Sequence, residues 1–235
     1  MRPLVFAGPS LYGVRREVLA DIDLGPPAGC GDIARAAREG VRTCGRMDGT
    51  FEAGPAVWHK EILYALSLGC NLWGAASMGA LRAAECRTFG MAGVGKIFDD
   101  YSSGRRHRDA DVALVYGPAE LDYPPLSISL VDVDDALQRM LVDGVINETA
   151  LSLLQDTSRR TFFKDRTWED VLETTKIDAT DMNRVLEWLA CSGWCLKTQD
   201  ALELIGVISG PDARGPVPYR FESTQFFDQL HIPET

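Results

Sequence analysis

The sequence is short of histidine. Only His59, His107 and His231 occur, and none has an obvious Ser–His–Asp setting. His231 lies near the end, His107 in an arginine-rich loop, and His59 on a helical segment with no carboxylate evidently placed to orient it. Six cysteines, Cys30, Cys44, Cys70, Cys86, Cys191 and Cys195, make no C-x-x-C. Cys191 and Cys195 stand one helical turn apart without a second pair, so no zinc set is formed, and the cysteines read as reduced core residues. Basic charge is also short: 24 Lys and Arg stand against 34 Asp and Glu, a net charge of -10. That excludes general nucleic-acid binding, which needs a basic field to neutralise phosphates. Long apolar runs are missing. "MRPLVFAGPS" holds a brief one that Gly8-Pro9 closes, too short for a signal peptide or a membrane span, so a cytoplasmic protein with no membrane partner is expected. Without a G-x-G-x-x-G or a Walker pattern, a dinucleotide or P-loop enzyme is disfavoured, and no cofactor or metal is expected. No internal repeat or low-complexity tract occurs.

What remains is ordinary globular material: 235 residues, 46% hydrophobic and 25% charged. The first half alternates. "PLVFAG" (3–8), "VRTCGRMDG" (41–49), "CNLWGAA" (70–76) and "VALVYG" (112–117) read as strands. "VRREVLADI" (14–22), "GDIARAAREG" (31–40), "PAVWHKEILYALSLG" (55–69), "SMGALRAAECRTFG" (77–90) and "VGKIFDDYSSG" (94–104) read as helices, with Pro55 in a first turn and Gly69 and Gly90 at stops. The expected fold is α/β, a parallel or mixed sheet of about four strands flanked by helices over 1–126. After about residue 130 the pattern turns helical: 132–144, 147–160, 167–175, 180–193 and 200–206, with Asp132, Asn147, Thr167 and Thr180 as cap candidates. A smaller all-helical part over 127–208 and an extended, proline-rich tail over 209–235 complete the expected division.

The stretch "WGAASMGALRAAEC" (73–86) places one hydroxyl, Ser77, between a strand and a helix and surrounds it with small residues. There a serine projects above the sheet, the first helical N–H groups lack intrahelical partners, and the helix dipole favours developing negative charge. In open α/β sheets, sites form beyond the carboxyl ends of strands. A-x-S-x-G differs from the hydrolase elbow by Ala75. Ser77 therefore reads either as a nucleophile or as a helix cap. The base on offer is Lys60, on a helix whose circumference is mostly apolar. Burial would disfavour its ammonium and leave an amine able to take a proton; alternatively it snorkels to solvent or pairs with a carboxylate. The "GPS" turn (8–10) brings Gly8 and Ser10 toward the same rim, and "GRRHRD" (104–109) is either a docking loop or a solvated one.

"GPS" near the start, "DGTFEAGPAVWHKEILYALSLGCNLWGAASMGALRAAEC", "FGMAGVGKIFDDY" and "VYGPAE" resemble the core of the TfuA-like family over about residues 4–130. The resemblance implies a partner of YcaO enzymes in peptide thioamidation. It implies hydrolysis of the C-terminal thiocarboxylate of a ThiS-like sulfur carrier protein, which releases sulfide for the YcaO enzyme and its precursor peptide. It further implies a Ser–Lys catalytic pair and a fold unlike known ones. The pair falls here on Ser77 and Lys60, with Ser10 as a rival nucleophile. In that reading Met78 and Gly79 supply oxyanion N–H groups, and Arg82 attracts the thiocarboxylate or else pairs with Glu85. A non-catalytic adaptor that recruits or activates the YcaO enzyme and its peptide is the alternative, and a small-molecule ester hydrolase a weaker third.

Overall fold

The computed structural model describes residues 2–50, 54–210 and 219–228. Five short strands are each followed by helical structure: β1 (Leu4–Phe6), β2 (Asp23–Gly25), β3 (Thr43–Arg46), β4 (Asn71–Gly74) and β5 (Ala92–Gly93). The helices between and after them are α1 (Asp32–Arg38), α2 (His59–Ser67), α3 (Met78–Cys86) and α4 (Lys96–Ser102). All neighbouring strands pair in parallel, in the order β2-β1-β3-β4-β5. That is a common doubly wound order, with its topological switch point between β1 and β3.

A parallel sheet must bury both faces. On one, Phe6, Cys44 and Leu72 pack with Ile33 of α1, Ile62 and Leu66 of α2 and Ala83 of α3. On the other, Val5, Met47 and Trp73 meet Leu204, Ile205 and Ile208 of α9 (Leu196–Ser209). Val5 and Phe6 divide between the faces because successive strand side chains point opposite ways. Each fully buried aliphatic side chain contributes about 1.5–3 kcal/mol. Gly45 lets α9 sit close, since a Cβ there would meet Val5 at 3.2 Å and Ile208 at 3.4 Å.

The chain forms two compact units, residues 1–107 with 198–235, and residues 108–197. The second is helical: α5 (Leu130–Val142), α6 (Glu148–Arg160), α7 (Trp168–Thr175) and α8 (Ala179–Ser192). Val133, Leu137, Met140, Leu154, Leu172 and Val185 form its core. Side chains of Ser129, Asn147, Thr167 and Asp178 cap these helices by accepting from Asp132, Ala150, Asp170 and Asp181 N–H. Asn147 and Thr167 thus cap as the sequence indicates. Asp132 and Thr180 do not, because a residue further upstream already has the extended conformation that a cap requires.

Three of the four expected strands form. "VALVYG" does not: Val112 and Ala113 are buried, but the segment follows a 3-10 turn at Asp109–Asp111, and its one ladder contact is a bridge from Tyr116 to Pro125. The expected helix at 14–22 is a 3-10 turn at Arg16–Leu19 that runs into β2. α2 starts at His59, leaving Pro55 in the approach. α9 extends well beyond the expected 200–206, and its residues from 198 onward belong to the unit that holds the sheet. Of the expected extended tail, 211–218 and 229–235 lie outside the described residues; 219–224 has no regular structure and leads into α10 (Gln225–Asp228). No helix among the described residues is long and apolar enough to cross a membrane.

Candidate functional site

The carboxyl ends of β1, β3 and β4 bring three stretches together: the "GPS" turn, Arg46–Asp48 and Ser77. Asp48 is the first organising group. Buried to 2% exposure, its carboxylate accepts from Gly8 N–H at 2.9 Å, Ser10 N–H at 2.9 Å and Ser10 Oγ at 2.8 Å. A carboxylate spanning the switch point ties the turn after β1 to the end of β3. It also occupies the groups that sequence reasoning offered to a substrate. Gly8 N–H and both donors of Ser10 are engaged, and Ser10 is fully buried.

Ser77 heads α3 from a strained turn. Ala76 holds φ +64°, and Ser77 N–H donates back to Ala75 O at 2.9 Å, closing a three-residue turn of the rare left-handed sense. A β-carbon makes this conformation costly, and such strain persists where surrounding structure enforces it. The Ser77 hydroxyl makes no cap hydrogen bond to α3, so the cap reading of Ser77 does not hold. The small neighbours have a packing cause. A Cβ on Gly74 would lie 2.1 Å from Gly79 O, and one on Gly79 would lie 1.8 Å from Arg46 O. These glycines let α3 dock on β3 and β4 with backbone against backbone. Gly79 N–H donates to Met47 O at 2.8 Å, so this expected oxyanion donor is already engaged. Met78 N–H has no acceptor among the described residues.

Lys60 is half-buried on α2. Its Nζ donates to Glu222 O at 2.6 Å and lies 5.3 Å from the centre of the Phe221 ring. Among the described residues no hydrogen bond joins it to Ser77. The segment that holds it is seated by aromatic contacts, Tyr64 with Phe221 at 5.3 Å and with Phe227 at 5.2 Å. His59, one residue earlier, has the carboxylate that sequence reasoning did not find: Nε2 lies 2.9 Å from Glu85 Oε2. Glu85 also pairs with Arg82, as the i, i+3 spacing allowed. Burial works against ionisation of Glu85, yet the hydrogen bonds from His59 and Arg82 outweigh it and hold its carboxyl below the ordinary range.

Arg46 and Glu61 are buried charged groups that sequence reasoning missed. Arg46, the last residue of β3, is 1% exposed, and its Nε, Nη1 and Nη2 have no hydrogen-bond partner among the described residues. Glu61 of α2 is fully buried and accepts from Trp58 N–H at 2.9 Å and Gly31 N–H at 2.7 Å. Burial pushes the Glu61 carboxyl up. The thiols of Cys30, Cys70 and Cys86 are raised, by burial first, to about 11, 12 and 11, which suits protonated packing residues. No cysteine forms a disulfide, and no group of three metal-ligating side chains occurs among the described residues.

Residues 48–167 match the family model described as TfuA-like protein, just over half of the chain. The matched span holds Asp48, Lys60, Ser77, Arg82 and Glu85 and begins two residues after Arg46. No curated protein matches the chain.

Proposed function

This chain belongs to the TfuA-like family, and on that footing we propose that it releases sulfide from the C-terminal thiocarboxylate of a ThiS-like sulfur carrier protein. The sulfide supplies a YcaO enzyme that thioamidates a ribosomally made peptide. Ser77 is the nucleophile and Lys60 the base. The observation that carries this reading is the strained turn at Ala76, which holds Ser77 at the carboxyl end of β4 with its hydroxyl not spent on capping α3.

The chemistry follows from these groups. Ser77 Oγ attacks the thiocarboxylate carbon and its proton passes to Lys60. The oxyanion faces Met78 N–H and the positive end of the α3 dipole. Lys60 hands that proton to the sulfur, the C–S bond breaks, HS⁻ leaves, and an ester to Ser77 remains. Lys60 takes a proton from water as it adds to the ester and passes it to the departing serine oxygen, and the carrier leaves as a carboxylate, its last proton going to solvent. Lys60 reaches Ser77 only after exchanging its Glu222 carbonyl partner, so withdrawal of the segment 219–228 belongs to this reading. The test is sulfide release from a thiocarboxylated carrier by the purified protein. Ser77→Ala should slow it by roughly 10³-fold or more. A Ser77→Ala protein at full rate removes Ser77 from the mechanism.

The adaptor reading has its own support. Lys60 is satisfied by a backbone carbonyl, and the N–H groups of Gly8, Ser10 and Gly79 are engaged within the fold. It requires that Ser77→Ala leave thioamidation by the YcaO enzyme unchanged.

A further inference from the structure

Arg46 is a buried cation without a counter-ion contact. All three of its side-chain nitrogens, which together carry five N–H donors, lack a partner among the described residues. Removing a guanidinium from water without pairing it is strongly unfavourable. The nearby carboxylates do not compensate. Glu61 accepts through both oxygens from backbone N–H groups, and Glu85 is held by Arg82 and His59.

A second arginine adjoins the first. α3 packs on Arg46 itself, as the Gly79-to-Arg46 approach requires, and Arg82 lies one turn beyond Gly79 on the same helix face. Arg82 Nε is likewise buried and unpartnered. Burial, then the charge of Arg82, brings Arg46 down to about 10, so Arg46 remains a cation at neutral pH. The fork packs closely on the backbone of Gly49, where a Cβ would stand 2.7 Å from Arg46 Nη2.

We propose that Arg46 and Arg82 form a binding site for a carboxylate-type monoanion, the thiocarboxylate or carboxylate that ends the carrier-protein tail. The proposal rests on the proposed function for the identity of that tail. A planar guanidinium fork matches a planar two-acceptor group through paired N–H bonds. The charge balance sets the valence. Glu85 already pairs with Arg82, so the unpaired charge of Arg46 matches one negative charge, whereas a phosphate dianion also meets repulsion from Glu61 and Glu85.

The experiment measures thermal unfolding of the full protein at matched ionic strength with sodium acetate, thioacetate, acetamide or inorganic phosphate. Acetate and thioacetate should raise Tm in a saturable way, as ligands that bind only the folded state do. Acetamide, the neutral isostere, should not, and phosphate should not exceed the salt control. Arg46→Met should raise Tm without any anion, since it removes an unpaired buried charge, and should erase the acetate response. Arg82→Gln should weaken that response about tenfold in the half-saturating concentration. Equal shifts from acetate and acetamide, a phosphate shift above that of acetate, or an undiminished acetate response in Arg46→Met would each overturn the site. Should Arg46→Met fail to fold, the acetate–acetamide contrast on the unaltered protein decides. The measurement involves no sulfide release, so an acetate-responsive protein that hydrolyses no thiocarboxylate would sink the hydrolase reading alone.

Discussion

Asp48 shows how one side chain can settle two assignments at once. By accepting three hydrogen bonds it fixes the "GPS" turn and withdraws Gly8 and Ser10 from substrate chemistry. Asp48→Ala leaves two buried N–H groups and a hydroxyl without an acceptor, and should destabilise the protein by roughly 3–5 kcal/mol in urea unfolding. Ser10→Ala removes only one of the three bonds, should cost about 1–2 kcal/mol, and should leave sulfide release near the unaltered rate. A Ser10→Ala protein with normal stability and no activity would reinstate Ser10 as the nucleophile. At Lys60 the two readings separate by chemistry. Arginine can keep the bond to Glu222 O and the contact with the Phe221 ring, but it does not surrender a proton at usable pH. Lys60→Arg should therefore retain stability within about 0.5 kcal/mol while sulfide release is lost; retained release leaves Lys60 a structural lysine.

Helix α3 is placed by what its residues lack. Gly79→Ala drives a Cβ into Arg46 O, a backbone atom that cannot yield, so the helix must lift from β3. A loss of more than about 3 kcal/mol is expected in urea unfolding; a neutral Gly79→Ala would mean that α3 docks differently. The link from α3 to α2 through Glu85 and His59 is open to a pH measurement. The folded-state carboxyl of Glu85 is depressed, so its contribution is complete above the ordinary carboxylate pKa and fades as pH falls through the depressed value. The stability difference between the protein and Glu85→Gln should accordingly be present at pH 7 and vanish in strong acid. A difference independent of pH would assign it to packing. The elements were legible in the sequence where they were long enough to show a period. α2, α3, α5 and α6 each carry an apolar stripe over at least nine residues, and each was found within a few positions of its place. β2 and β5, at three and two residues, carry no period at all. "VALVYG" shows the converse failure: an apolar run reports burial, and only pairing makes a strand.

At the scale of the whole chain, α9 marks the limit of reading along the sequence. Its helicity is local and was partly visible, but its placement on the sheet depends on Leu204 and Ile208 meeting Val5 and Gly45 from more than 150 positions away. Ser77 was legible because its turn is built from neighbours. Arg46 was not, because an orphaned charge is visible only once its surroundings are assembled. What the assembled molecule does is tested in reconstituted thioamidation, with the YcaO enzyme, precursor peptide, ATP and thiocarboxylated carrier all present. If the protein is the sulfide source, Ser77→Ala should abolish product with the carrier as sulfur donor, and added sodium sulfide should restore it, since the chemistry downstream of HS⁻ is untouched. If the protein is an adaptor, omitting it should abolish product even with sulfide supplied, while Ser77→Ala should work with either donor. Product from Ser77→Ala and the carrier, without sulfide, would end the hydrolase reading, and rescue by sulfide in the complete absence of the protein would end the adaptor reading.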